Sequence, residues 1–412
     1  MEECILDKRI LIIGAGIEQI YGYKLAKKMG IKTVGTDMHP PSEYIVLVSN
    51  NIIASTRDAE ETWKKVKKYV NHKKIDGVMT LANDVPYTVA YIARKLRLPG
   101  ISLESAKLAS DKLAMKNKFF ADGIAVPDFC EIKSVKKLKN KIDEWQYPLV
   151  IKPIDSRGAR GVLILTKGID LNWAFREALN NSDTGRVMIE RFIDGPQVST
   201  EGFVLDGKCY TVAFSDRNYE YLKKYSPYII ENGGTMLSNL PNNIINEISE
   251  LMQQSADSSG IKNGPVKGDI VVDKNGKPYI IEIAARLSGG YFCTDQIPLA
   301  VSVNLVKVTM LQALGEKIDK NELIPKHKKY VAIRYWFPKI GKLQSVPNID
   351  NIKNEKNIYL SEIHKKPGSI INSIQKHPDR LGFVIAYGNS YKESAEIAAK
   401  IINKYQEQFR YF

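Results

Sequence analysis

At 412 residues, with 44% hydrophobic and 26% charged side chains, the chain exceeds the length of one typical core and has the composition of a globular rather than a disordered protein, so two to four domains are expected. Lys and Arg number 60 against 46 Asp and Glu, a net charge of +14. The excess sits in helical stretches such as Trp63 to Lys68 and Lys133 to Lys141 without interleaved aromatics, which reads as a solvated lysine face rather than a nucleic-acid footprint; a polyanionic small substrate fits the charge equally well. No run approaches 18 apolar residues and Met1-Glu2-Glu3 leads straight toward a strand, so no membrane span and no signal peptide are expected, and the expected location is the cytoplasm. Cys4, Cys130, Cys209 and Cys293 lack CxxC spacing and read as reduced thiols, not zinc ligands or a disulfide framework.

In chain order, Arg9–Ile13 is an apolar strand, followed by Gly14-Ala15-Gly16, a helical pattern to Met29-Gly30, and a second strand Thr33–Thr36 ending at Asp37. A strand at Ile52–Ala54, a helix around Glu60–His72, a strand at Gly77–Leu81 and a helix around Pro86–Arg97 continue the alternation, so residues 1–105 read as a doubly wound α/β domain. The Gly14-x-Gly16 loop has part of a dinucleotide fingerprint, with Asp37 near the ribose-binding position, but position 19 is Gln where the third glycine belongs. A nicotinamide oxidoreductase is therefore a weak rival, and the loop reads better as a helix N-terminus offered to an anionic part of a substrate.

Ser110 reads as the cap of a helix from Asp111 to Ala121 closed by Gly123. A strand near Val126-Pro127, a lysine-rich helix, and the strand Tyr147–Pro153 follow, the last carrying Lys152 among apolar neighbours, where an ammonium costs desolvation unless it is paired. Next comes Asp155-Ser156-Arg157-Gly158-Ala159-Arg160-Gly161 before the strand Val162–Leu165. Two glycines and two arginines between strands suit a flap folded over phosphates, since glycine permits close backbone approach and arginine presents planar donors. Val187 to Gly195 contains Glu190 and Ile193, Asp206-Gly207 joins a hairpin, and 242–259 is helical. Residues 208–240 are aromatic-rich, and Tyr219, Tyr221, Tyr225, Tyr228 and Glu231 lie in this stretch, either as substrate-loop or as packing groups. From about 326, strands at Val331–Phe337 and Gly382–Tyr387 precede an amphipathic helix at 391–404.

Residues 268–286 carry the most chemistry. Asn275-Gly276 predicts a two-residue type I′ turn, which sets Asp269 directly opposite Glu282 and puts Ile270, Val272, Ile281 and Ile283 on the other face. Opposed carboxylates destabilise a sheet unless compensated, and a hard divalent cation with phosphate ligands would compensate them. Arg286, next to Ser288-Gly289-Gly290, adds a guanidinium suited to an anion.

Lys112, Lys152 before the flap, Glu190 with Ile193, and Asp269 with Glu282 and Arg286 stand in an order that resembles the ATP-grasp superfamily, specifically its carboxylate–amine ligases near the carbamoyl-phosphate-synthase-like and phosphoribosylglycinamide-ligase-like branches. The resemblance covers residues 1 to about 390. It implies an N-terminal α/β domain (1–105), a central ATP-grasp domain (106–325, flap subdomain about 124–195) and a small C-terminal α+β domain (326–412). It further implies that Lys112 and Lys152 contact ATP phosphates beneath a flap of Ser156, Arg157, Gly158, Arg160 and Gly161. Glu190 and Ile193 would read adenine through backbone groups, Asp269 and Glu282 would hold Mg²⁺ or Mn²⁺, and Arg286, with Lys152, would act on the transferring phosphoryl group or acyl phosphate.

The sequence departs from that pattern twice. The carboxylate that such families place on the ribose, seven residues after the adenine-reading Glu, is Gln197 here, with Glu201 as a substitute. The common Asn two residues beyond the metal-binding Glu is Ala284, so a second Mg²⁺ would need more water or ATP ligands. The implied reaction is an ATP-dependent amide ligation of a small carboxylate and an amine through an acyl phosphate, with a phosphoribosylglycinamide-type or carbamoyl-phosphate-type activity as the alternative. No nucleic-acid or membrane partner is expected, and a homodimer is open to such an enzyme.

Overall fold

The computed structural model describes residues 7–39 and 47–412; Cys4 lies outside the described residues. Four parallel strands, β1 (Arg9–Ile13), β2 (Lys32–Asp37), β3 (Asn50–Ile53) and β4 (Gly77–Met79), pair in the order β3-β2-β1-β4. Both faces are covered, which is why β1 reads as an unbroken apolar run. Leu11, Ile13, Val34 and Val78 pack with Val66 and Ile92 of the helices Ala59–Val70 and Pro86–Leu96. Ile10, Ile12 and Met79 belong to a second cluster with Tyr23 and Ala26 of the helix Ile20–Lys28 and with Val308 of the helix Leu305–Ala313. The doubly wound layering is as expected, but one covering helix comes from far downstream.

An antiparallel sheet follows, built from β5 (Phe129–Ile132), β6 (Leu149–Pro153), β7 (Leu163–Leu165) and β8 (Val187–Arg191) in the order β5-β8-β6-β7. Its apolar face packs against Leu138 and Ile142 of the helix Val135–Trp145 and Ala174 and Ala178 of the helix Leu171–Asn180. The main sheet combines β9 (Gln197–Leu205), β10 (Lys208–Arg217), β11 (Gly234–Met236), β12 (Gly264–Val272) and β13 (Pro278–Ala284) with β14 (Tyr330–Trp336), β16 (Ile358–Ile363) and β18 (Gly382–Gly388). Their order is β13-β12-β9-β10-β11-β14-β18-β16. The C-terminal segment therefore extends the central sheet, and only β15 (Gly341–Ser345), β17 (Ile370–Ile371) and β19 (Arg410–Tyr411) form a small sheet of their own.

Two local expectations need correction. The helix Lys112–Ala121 is capped by Asp111, whose Oδ1 accepts the N–H groups of Leu113 and Ala114 at 2.9 Å, while the Ser110 hydroxyl donates to Ala106 O. One carboxylate oxygen satisfying two orphan N–H groups makes Asp111 the better cap. The β12–β13 turn is not the two-residue type. Asp273 and Lys277 close a three-residue loop in which Gly276 adopts φ +84°, the left-handed position that a non-glycine residue resists.

That longer turn shifts the register by one, pairing Ile270 with Ile280, and a bulge between Asp269 and Ile270 shifts it back. Asp269 consequently does face Glu282. The extra residue is Ile281, so Ile280, not Ile281, joins Ile270, Val272 and Ile283 in the core.

Candidate active site

Lys152 projects from β6 into the interior at 4% exposure, and its Nζ lies 2.5 Å from Glu190 Oε1 on the neighbouring strand β8. The partner that an ammonium in an apolar strand requires is thus present. Sequence reasoning missed the third member: Lys116, fully buried one turn after Lys112 on the same helix, pairs with Glu190 Oε2 at 3.0 Å and points at Ile280 O at 3.3 Å. The i, i+4 spacing from Lys112 was the only trace of it. Burial works against the Glu190 charge, yet Lys116 and Lys152 overcome it and hold that carboxyl below the usual range. One carboxylate cannot balance two ammoniums, so burial, helped by Lys152, pulls Lys116 down to about 8.

The Lys112 ammonium bridges the flap and the β12–β13 hairpin: it donates to Ser156 O at 2.7 Å and lies 3.2 Å from Glu282 Oε1. In the flap, Gly161 adopts φ +67°, and a Cβ there would meet Asn181 Cβ at 2.7 Å, so the tight return into β7 requires glycine. Arg157 Nη1 donates to Asn83 Oδ1 at 3.0 Å, and His377 N donates to Gly158 O at 3.4 Å. Arg160 turns back onto Arg157 O. The flap therefore spans from the first sheet's loops to the C-terminal segment. Ile193 lies in the segment joining β8 to β9, and Gln197 opens β9.

Arg286 follows β13. The backbone there adds Leu287 as a parallel bridge to Leu81, so the loop after β4 comes alongside, and Arg286 Nε reaches Asp84 Oδ1 at 2.5 Å. Among the described residues Arg286 makes no ion pair with Glu282, four positions before it on the chain. Burial disfavours both charges, but each outweighs it for the other: Asp84 is held at about 2, and Arg286 is pushed above its usual range.

Asp269 already has partners at both oxygens: the Ser199 hydroxyl (2.7 Å) and Arg217 Nη1 (3.3 Å) at Oδ1, and Lys267 Nζ (2.6 Å) at Oδ2. Burial opposes its charge, but Lys267 and Arg217 hold it well below the carboxylate range. Arg217 also binds Glu231, which lies 3.6 Å from Arg380 of the C-terminal segment. Arg380 stacks on the Tyr335 ring with its guanidinium carbon 3.5 Å from the centroid. None of these arginines had a motif in the sequence; the main sheet brings them together.

Among the described residues no three His, Cys, Asp or Glu side chains converge as a metal site. Glu282, 29% exposed and held among the described residues by Lys112 alone, is the member of the acidic pair that fits a divalent cation completed by phosphate and water oxygens. Of the loop aromatics, Tyr221 and Tyr225 pack on Phe337 with centroids 4.9 and 5.2 Å away, and Tyr228 packs edge-on against Trp173. Tyr219 instead lies beside Arg217.

The ATP-grasp domain family matches residues 145–295, and the family of L-amino acid ligase C-terminal domain 2 matches residues 334–405. The chain carries an ATP-grasp domain. It is similar to a D-alanine–D-alanine ligase of Syntrophotalea carbinolica, 31% identical over 156 residues that cover 37% of this chain and 45% of the ligase, less than half of that relative's length. In three dimensions it is similar to an L-amino acid ligase of Bacillus licheniformis, with a TM-score of 0.82 at 19% identity over 97% of this chain and 98% of that one. A phosphoribosylglycinamide synthetase of Anaerococcus prevotii gives a TM-score of 0.73 at 22% identity, over 96% and 98% of the two chains. The last two likenesses show the fold. The expectation of an ATP-using, carbon–nitrogen-bond-forming ligase is borne out at the level of the superfamily. No helix among the described residues is long and apolar enough to cross a membrane.

In this ATP-grasp protein the suggested ribose ligand Glu201 is fully buried beneath the turn at 288–290. It accepts the Ser288 N–H at 2.8 Å, and its Oε2 has no partner. Burial, only partly offset by Ser288, pushes its carboxyl up to about 7. A folded-state value above the unfolded one means stability that is complete below about 4.5 and lost as pH rises through 7, a cost of about 3 kcal/mol at pH 8 by linkage. Glu201→Gln is therefore expected to raise the melting temperature at pH 8 and to change it little at pH 4.5. Equal shifts at the two pH values in thermal denaturation would show that Glu201 is not protonated in the folded protein.

Proposed function

We propose that the chain is an ATP- and Mg²⁺-dependent ligase that joins the carboxylate of one small molecule to the amine of another, with ADP and phosphate as co-products. The observation that supports this most is that Lys112 joins the flap to Glu282, with Asp269 opposite Glu282 and Arg286 four residues beyond it, a set of charges suited to a polyphosphate and to the charge that develops during transfer. Lys112 and Lys152 hold ATP phosphates, the flap covers them, and Glu190 keeps Lys152 in position. A divalent cation held at Glu282 would neutralise phosphate oxygens. A substrate carboxylate oxygen bonds to the γ-phosphorus as the bond to ADP breaks. Arg286, tethered by Asp84, then stabilises negative charge on the acyl phosphate and on the tetrahedral centre formed by the attacking amine. The amine loses a proton, the acyl C–O bond breaks, and phosphate departs carrying the carboxylate's oxygen.

A non-phosphorylated substrate is favoured over a phosphoribosyl one. The loop at Gly14–Gly16, offered by the sequence as an anion site, gives its Ala15 N–H to Asp37 Oδ2 at 3.0 Å, and Gln19 is tied to Leu81 O at 2.6 Å, filling the place of the third fingerprint glycine. Glu18 accepts the Gly290 N–H beside the same loop. Carboxylates stand where a phosphate or a cofactor pyrophosphate would have to sit, which disfavours the phosphoribosylglycinamide-type and nicotinamide readings alike. The match to the L-amino acid ligase C-terminal domain makes amino acids the first substrates to try.

The test is to incubate the protein with ATP, Mg²⁺ and pairs of amino acids, one labelled with ¹⁸O in its carboxylate. Label is expected in inorganic phosphate, with ADP released. Label confined to the amide product and unreacted acid, or AMP and pyrophosphate in place of ADP, would overturn the mechanism.

A further inference from the structure

Lys267 stands two residues before Asp269 on the same face of β12, opposite Glu201 on β9 and opposite Ala284 on β13. Cross-strand partners share a face, so the methyl group of Ala284 leaves open the space that a longer side chain would dispute with the lysine stem. Through that space the Lys267 ammonium reaches Asp269 Oδ2 at 2.6 Å, while Arg217 and Ser199 take Oδ1. Both oxygens of Asp269 are thus committed to the protein's own donors. Glu282 directly opposite has one ion-pair partner, Lys112, at 3.2 Å.

From this asymmetry we infer that Lys267 is a built-in cation that takes the place of a metal ion at Asp269, so that the site binds a single divalent cation, at Glu282, together with ATP. The inference rests on the ATP-ligase reading. An ammonium in place before ATP arrives needs no dehydration, whereas Mg²⁺ gives up its water reluctantly, and a divalent ion brought next to Lys267 would be repelled by it. The opposed carboxylates are then balanced unequally: one permanently by the chain, the other when metal and nucleotide arrive.

The experiment counts Mn²⁺ per bound nucleotide by electron paramagnetic resonance, with a saturating non-hydrolysable ATP analogue. The native protein is expected to hold one Mn²⁺ per nucleotide, Lys267→Arg one, and Lys267→Met two. Should Lys267→Met fail to fold, Lys267→Gln serves instead: it removes the charge while keeping a polar side chain, and is likewise expected to hold two. Two Mn²⁺ in the native protein, or one in a folded Lys267→Met or Lys267→Gln, would overturn the inference while leaving the ligase reading standing. Absence of any nucleotide binding would overturn the ligase reading and the inference with it.

Discussion

Glu282→Gln is expected to lower Mg²⁺-dependent ADP formation by about 10²–10³-fold at saturating Mg²⁺, the usual cost of removing one preorganised charge-stabilising group from an active site. The amide keeps the shape and removes only the charge. Because Lys112 is the partner of Glu282 at 3.2 Å, and Lys112 also holds Ser156 O, the substitution frees an ammonium already anchored to the flap. ATP binding should therefore fall less than turnover. The change should not unfold the protein, since Glu282 is part-exposed, unlike the core residues Ile280 and Ile283 beside it on β13. Steady-state kinetics over a Mg²⁺ titration, with a thermal melt as control, decides this; near-normal kcat at saturating metal would remove Glu282 from the metal site.

Arg286→Ala should have an effect of similar size but a different signature. If its guanidinium meets charge that exists only once the phosphoryl group moves and the amine attacks, kcat should fall about 10²–10³-fold while ATP affinity changes much less. The ion pair with Asp84 at 2.5 Å adds a second arm. Asp84→Asn leaves the arginine charged but without its ion pair, and should lower kcat by a smaller factor than Arg286→Ala. Loss of ATP affinity matching the loss of turnover in Arg286→Ala would make Arg286 a nucleotide-binding residue, not a transition-state one.

The chain's own order of residues determined a good deal. Period-two and period-3.6 patterning located most elements of the first sheet and the hairpin strands within a few residues, because burial of one face imposes those periods whatever the tertiary context, but the helices Leu171–Asn180 and Leu305–Ala313 and the strands β11, β15 and β16 went unmarked. Asp269 and Glu282 were paired correctly although the turn between them was not, because a one-residue change at Gly276 was cancelled by the bulge at Ile281. Lys152 could be marked as needing a partner from its neighbours alone, since an unpaired ammonium in an apolar strand is too costly to persist.

Tertiary structure alone decided which charges those residues meet. Glu190 serves Lys152 and Lys116 because β6 and β8 are neighbours in a sheet whose order, β5-β8-β6-β7, no local pattern states. Arg286 finds Asp84 across 202 residues because the loop after β4 lies against the end of β13, and Arg380 reaches Glu231 across 149 because the C-terminal strands extend the main sheet. Periodicity reports which face of an element is buried, but not the element it faces; a counter-ion is chosen by proximity in space, and proximity comes from how the sheets stack.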